Sequence, residues 1–360
     1  MKMNRFYFYI SALICAMLSI VGCSTKKNTA MSRGYQAMTT KFNVYYNGNE
    51  ALQKGKKKIE EAYKPDYTRT LKMYAVSDET TKDAAKGDAS RASEKCEKAI
   101  KLHSMRKKPV KNVKKMKDPK YATFYAQEEF NPMMDDVWML LGKSKYYGND
   151  YLAASATFTY VQNHFQTNEN LVTQASLWKA KSLKEMNWIY EAEEILNNID
   201  EDKITYNVEG LYNSTIADIK LAQGYEDDAL PYLLKSIKSA ENRSERARFL
   251  FIIAQIYQNQ GKNKEAYAYY DTVIRKSPNY EMEFNARIRQ TEVYTSGSGE
   301  AKNVIHKLEK LTKDEKNKDY LDQIYYAMGN IYLADHDTLK AIEAYEKGGK
   351  ESLKSTNARN

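Results

Sequence analysis

Residues 250–278 constrain the fold more than any other stretch. In order they run Leu250, Ile253, Ala254 and Tyr257, then Gly261, then Ala266, Tyr270 and Val273, then Pro278. Steps of three and four residues put each set on one face of a helix. The glycine marks a break between the two sets, and the proline cannot continue the second helix. Ala254 and Ala266 are small, so two antiparallel helices can approach closely while the larger residues fill the space beside them. One such hairpin cannot bury its own apolar face, so it needs neighbours.

The neighbours are in the chain. An alanine equivalent to Ala266 recurs at Ala154, Ala192, Ala229 and Ala341, in steps of 37 or 38 residues with a final step of 75, close to two repeats. This is the tetratricopeptide (TPR) pattern, its usual period of about 34 residues slightly lengthened. The fold class is therefore all-α, a TPR-type α-solenoid of antiparallel helix hairpins, with about six repeats over residues 131–350. Asn131 suits an N-cap and Pro132 the first helical position. The first repeat carries Trp138, Leu141, Gly142, Ala154, Phe158 and Val161, and the sixth Tyr325, Met328, Gly329, Tyr332, Ala341 and Tyr345. The fifth, over 281–311, is degenerate and is split by Ser296-Gly297-Ser298-Gly299. Lys145 and Lys220 stand where the pattern wants an aromatic residue, and 351–360 reads as a frayed tail.

Before the array the chain opens on a processing segment, residues 1–22. Lys2 and Arg5 precede an uncharged, largely apolar run from Phe6 to Val21, which fits a secretory signal peptide. Ile20-Val21-Gly22-Cys23 matches the bacterial lipobox, so Cys23 is the expected lipidation site. Two or more acyl chains anchor a protein stably. Ser24 rather than Asp follows the cysteine, so the expected address is the outer membrane, facing the periplasm. Cys15 leaves with the signal peptide, which leaves Cys96 alone and without a disulfide, as a small apolar residue on a buried helix face. The net charge is +9. It is concentrated in a basic N-terminal part, joined to a mildly acidic array, and a basic part beside a lipid anchor suits anionic head groups.

Residues 23–130 read as an N-terminal helical segment. Tyr35, Met38, Phe42 and Tyr45 share one helical face, Asn47-Gly48-Asn49 signals a turn, and a second helix follows from Glu50 to about Tyr63. Asp66–Val76 is an extended or helical connection, and Glu79–Asp88 a loop. Ser90–Met105 is helical, and 106–117 is a basic, solvated loop with no acidic residue.

No catalytic constellation is evident. His103, His164, His306 and His336 do not pair with one another or with cysteine at metal-ligand spacing, and no glycine-rich phosphate loop or nucleophile elbow is present. His336 lies between Asp335 and Asp337 and reads as a solvated turn rather than a metal site. No enzyme activity, cofactor, metal, nucleic acid or small-molecule substrate is expected. Tyrosine dominates the aromatics, 30 against 10 Phe and 3 Trp. The positions that line the concave groove of such arrays are Met139, Lys143, Tyr146, Tyr147, Lys181, Lys184, Phe251, Gln255, Gln258, Tyr326 and Asn330. A groove of this composition suits capture of a protein partner, because tyrosine offers apolar area with a polar tip.

Three stretches carry a family resemblance. Thr40-Lys41-Phe42-Asn43-Val44-Tyr45-Tyr46-Asn47-Gly48-Asn49-Glu50-Ala51 resembles the opening motif of the SprE/PorW lipoproteins of Bacteroidetes. So do Arg91–Met105 and the run Asp135–Tyr147 with Asp150-Tyr151. The resemblance covers about residues 23–165, and this sequence ends at 360 where members usually continue further. It implies an outer-membrane lipoprotein of gliding motility and type IX secretion, connecting the periplasmic ring to other translocon parts. A BamD-like barrel-assembly lipoprotein shares the anchor and the repeats, although the Tyr-Tyr-Asn-Gly motif and the basic loop are not expected there. A glycan-binding or peptidoglycan-acting lipoprotein is the reading from another class.

Overall fold

The computed structural model describes residues 25, 27–76, 78–277, 279–293 and 301–352, and among these every regular element is helical. No helix among them is long and apolar enough to cross a membrane. The expected signal peptide over residues 1–22, Cys23, Pro278, the Ser296–Gly299 run and residues 353–360 lie outside the described residues. The contacts divide the chain into two compact units. Unit 1 holds the chain up to Lys64 together with Tyr74–Gln223, and unit 2 holds Pro65–Met73 together with the chain from Gly224 onward. This differs from a division at residue 130: the boundary falls inside the third repeat, and a nine-residue piece of the N-terminal part belongs to unit 2.

In unit 1, helix α1 (Ala30–Thr39) passes through a π-helical stretch, Thr40–Tyr45, into α2 (Tyr46–Ala62) without a break. The expected turn at Asn47-Gly48-Asn49 is absent. Gly48 lies inside α2 against α3 (Lys86–His103) and α5 (Met134–Tyr147), where a Cβ would sit 3.3 Å from Leu140 Cδ2 and 3.4 Å from Lys95 Cβ. The glycine serves close helix approach, not chain reversal. The π-helical stretch buries Val44, and α2 buries Ala51 and Leu52, with Ala92, Cys96 and Ala99 of α3 and Val137 and Leu140 of α5. Burial pushes the Cys96 thiol up to about 12, as befits an inert packing residue.

Beside this core lies a satisfied polar cluster. Thr40 Oγ1 donates to Gln36 O at 2.7 Å. Asn131 Nδ2 donates to Thr40 Oγ1 at 3.0 Å and to His103 O at 2.9 Å. His103 Nδ1 lies 2.6 Å from Gln36 Oε1, and partial burial lowers its pKa. Asn131 Oδ1 accepts from Met133 N at 3.1 Å, so α5 starts at Met134 rather than at Pro132. Helix α3 likewise begins at Lys86, ahead of Ser90. The remaining helices of the unit are α4 (Pro119–Ala126), α6 (Tyr151–His164), α7 (Glu169–Glu185), α8 (Ile189–Asn197) and α9 (Tyr206–Ala222).

Unit 2 contains α10 (Glu226–Ser236), α11 (Arg243–Asn259), α12 (Asn263–Lys276), α13 (Tyr280–Glu292), α14 (Ala301–Thr312), α15 (Leu321–Ala334) and α16 (Thr338–Ser352). In unit 1 α5 pairs with α6 and α7 with α8, and in unit 2 α11 pairs with α12 and α15 with α16, each pair a hairpin of consecutive helices. The periodic alanines Ala154, Ala192, Ala229, Ala266 and Ala341 are all buried, and Val304 is buried at the corresponding place in the degenerate repeat. At Gly142 and Gly329 an added methyl would overlap the rings of Phe158 and Tyr345, so glycine there admits a large aromatic from the second helix of the hairpin. Five hairpin turns use one device. Asn149, Asn187, Gly224, Gly261 and His336 all have positive φ, between 62° and 80°. In the fourth repeat Gly261 N donates to Gln258 O and Lys262 N to Tyr257 O, both at 2.9 Å, the Schellman closure of a helix C-terminus. His336 N to Leu333 O (3.1 Å) and Asp337 N to Tyr332 O (2.8 Å) repeat it. His336 is thus a helix-ending residue in the turn.

Candidate partner-binding groove

The residues expected to line a groove fall into two sets, one in each unit. In unit 1 the set is not open to solvent. Met139, Tyr146 and Lys181 are buried beneath the chain's own segment Tyr74–Ala85, whose Ala75, Val76 and Ala85 join Met139, Tyr146 and Trp178 in one apolar cluster. The Lys181 ammonium lies 3.3 Å from the centroid of the Tyr74 ring, and the Lys143 ammonium 5.2 Å from that of Trp178, both cation–π contacts. Tyr147 packs half-buried against the same cluster, its ring 5.3 Å from that of Tyr146. Thr81 Oγ1 donates to Ala75 O at 2.6 Å and closes the segment on itself.

Lys184 has another role. Its ammonium sits 2.6 Å from Glu185 Oε1 and 3.0 Å from Asp218 Oδ2, and Tyr146 Oη donates to Glu185 Oε1 at 3.0 Å. All three charged side chains are under a tenth exposed. The two carboxylates raise the Lys184 pKa against the opposing effect of burial. Lys220, which breaks the repeat pattern, bonds to Glu193 Oε1 at 2.7 Å on the neighbouring repeat, and Lys145 lies 3.3 Å from Glu97 Oε1. Hydrogen bonds from Lys220 and Gln223 lower the Glu193 pKa. Glu193 thereby ties two consecutive repeats together.

In unit 2 the groove holds Pro65–Met73 in a turn followed by an extended run. Asp66 Oδ1 accepts from Thr68 N at 2.9 Å and shapes the turn. Tyr67, Leu71 and Met73 are then sunk into the unit, each 3% exposed or less. The Tyr67 ring meets that of Phe251 at 5.2 Å. The backbone of the segment is held by side chains of the first helices of two consecutive repeats. Gln255 on α11 spans it, Nε2 donating to Arg69 O at 2.6 Å while Oε1 accepts from Leu71 N at 3.0 Å. Arg248 Nη1 donates to Met73 O at 3.5 Å, and Arg289 of α13 donates to Tyr67 O from Nε (3.2 Å) and Nη2 (2.5 Å). Thr70 Oγ1 donates to Glu226 Oε1 at 2.6 Å. Gln258 bonds elsewhere: it accepts from Tyr270 Oη at 2.7 Å and donates to Glu292 Oε2 at 3.0 Å.

Tyr326 and Asn330 stand apart on α15. Tyr326 is 61% exposed, and Asn330 Oδ1 accepts from Tyr345 Oη at 2.7 Å. Arg248 lies outside the groove positions of the pattern, while Arg289 precedes Val304 by the interval that separates Phe251 from Ala266 and was missed because the degenerate fifth repeat carries no alanine to set its register. A further cavity in unit 1, of about 320 Å³, is bounded by Arg33, Glu128, Glu129 and His164. Glu129 is committed to structure, accepting from Ser104 Oγ and from the backbone N of Met105, Phe130 and Asn131. His164 Nδ1 lies 2.6 Å from Glu128 Oε2.

Fold and groove together define an all-α scaffold of TPR-like hairpins that holds a non-helical segment, here its own. No known family profile matches the sequence, and no curated protein matches it. Among solved structures the chain is similar to the Rap conjugation gene regulator of the plasmid pLS20 in complex with the Phr* peptide, at 15% identity over 75% of this chain and 70% of that one, with a TM-score of 0.39. It is similar to the apo form of RapI at 13% identity over 74% and 92%, TM-score 0.39. It is also similar to the apo form of the quorum sensor NprR from B. thuringiensis at 12% identity over 97% and 94%, TM-score 0.46.

Proposed function

We propose that the protein is a non-enzymatic, lipid-anchored TPR scaffold on the periplasmic face of the outer membrane. In this reading it holds protein partners in a secretion or envelope-assembly complex of the type IX secretion and gliding kind. The observation that carries the reading is the surface at the start of unit 1. Met31, Tyr35, Met38, Phe42 and Tyr46 recur every three or four residues along α1, the π-helical stretch and the start of α2, and all are exposed, while Ser32, Gln36, Thr40 and Val44 face inward. Asn28 Nδ2 donates to Lys107 O at 2.7 Å, so the basic 106–117 run meets the chain just before α1. Within that run the Lys108 and Lys111 ammonium groups lie over the Tyr125 ring. An apolar stripe with a basic run beside it, following closely on Cys23 in sequence, suits a face laid against anionic head groups next to the acyl chains. Metabolic labelling with a palmitate analogue tests the anchor: label is expected on the wild type and absent from Cys23→Ala, which fractionates as a released protein. Crosslinking in native membranes followed by gentle detergent extraction is expected to recover an envelope complex. An unlabelled wild type, or recovery of the monomer alone, contradicts the reading.

A further inference from the structure

Pro65–Met73 has the attributes of a bound peptide. Arg69 N closes a turn on Asp66 O at 3.4 Å, and the other buried N–H and C=O groups of this non-helical segment must be met from outside. Four consecutive odd-numbered residues are met in this way: the carbonyls of Tyr67, Arg69 and Met73 by Arg289, Gln255 and Arg248, and the Leu71 N–H by Gln255. Such contacts read the path of a backbone and not its sequence. Specificity comes from the side chains of Tyr67, Leu71 and Met73, which are buried, with Tyr67 against Phe251. This division of labour, main-chain bonds for affinity and pockets for alternate side chains, is the general mode of extended-peptide recognition.

We propose that the α11–α13 groove of unit 2 is a binding site for a non-helical peptide segment. The peptide carries an aromatic residue, an aliphatic residue four positions on and a methionine two further, and Pro65–Met73 is the built-in occupant that a partner segment of the same chemistry displaces. The proposal rests on the scaffold reading above and names the chain that the scaffold recognises. The occupant is tethered at both ends, so its effective concentration at the groove is on the order of millimolar. A peptide supplied in trans must overcome that occupancy, and its apparent affinity for the wild type is lowered in proportion.

The test uses the full purified chain and a fluorescein-labelled peptide with the sequence of residues 64–74. Fluorescence anisotropy is measured on the wild type, on a Tyr67→Ala/Leu71→Ser variant whose occupant has lost its anchors, and on that variant with Gln255→Ala added. The peptide is expected to bind the double variant at least ~10-fold more tightly than the wild type, and the added Gln255→Ala to reverse the gain. A control peptide with serine in place of the tyrosine and leucine is expected not to bind. Equal binding to wild type and double variant, or indifference to Gln255→Ala, overturns the proposal. If the double variant loses helicity by circular dichroism, millimolar peptide restores it under the proposal, and failure to restore it also overturns the proposal. Failure here leaves the Cys23 labelling and the recovery of an envelope complex standing, so the two readings fall separately.

Discussion

Lys184 is a charge held inside the helix array. Its position on the first helix of the second repeat marks it as a groove residue by pattern, yet its ammonium is spent on Glu185 and Asp218. Burying an ion pair yields little net stability, but removing one partner strands the others in a medium that solvates them poorly. Lys184→Met is therefore expected to destabilise the fold by about 3–5 kcal/mol, read from the urea midpoint at constant m-value. A loss under about 1 kcal/mol would show that water reaches the two carboxylates. The pattern could not distinguish this lysine from Lys181, which lies over Tyr74, because both stand on the same helix and both belong to the nominal concave set. Repeat positions state which face a residue occupies. They do not state which acid from the next repeat, or which stray segment, arrives to meet it. Cys96 was legible for the opposite reason: it falls on the apolar face of a helical period with Ala92 and Ala99, and it is buried with them.

The hairpin turns were legible in part. Gly261 is an evident αL residue, and Asn149 and Asn187 are the next most tolerant types. His336 occupies the same conformation at φ 63° without that tolerance. Its Asp neighbours have local duties: Asp337 Oδ1 accepts from Lys340 N at 3.2 Å and Oδ2 from Lys340 Nζ at 2.7 Å. His336→Gly is expected to raise stability by about 0.5–1 kcal/mol, since relief of the αL strain outweighs the extra entropy of the unfolded glycine. Thermal and urea unfolding check it, and a fall in stability would mean the imidazole makes a contact worth more than the strain. Gly48 shows how the same residue type misleads. Flanked by Asn47 and Asn49 it reads as a chain reversal, but the constraint on it is tertiary, from Leu140 and Lys95 pressed against it. The helix boundaries moved for a related reason. Asn131 was a fair N-cap candidate, but its amide is shared among Thr40, His103 and Met133, and the helix begins after those bonds are made.

At the scale of the molecule, the repeat period revealed the array and concealed what fills it. The helix pairs of the array follow from the periodic alanines and the residues that pack on them, because each repeat restates the same local rule. The stretch 65–85 follows no period. It contains Tyr67, Leu71 and Met73 at a helical step followed by a strand-like one, so neither period holds, and its partners Gln255 and Arg289 lie 184 and 222 positions away in the chain. Nothing local marks such a segment as a groove ligand. The groove residues Met139, Tyr146, Lys181, Phe251 and Gln255 are accordingly buried by the chain itself, while Tyr326 on the sixth repeat is exposed.

Hydrogen exchange at the Leu71 amide tests the central claim, that the groove of unit 2 is occupied in cis, most directly. A bond from that amide to Gln255 predicts exchange on the order of 100-fold slower than in an unstructured chain, with the protection lost in Gln255→Ala and retained by amides of α3. Exchange of Leu71 at the unstructured rate in the wild-type protein would contradict it.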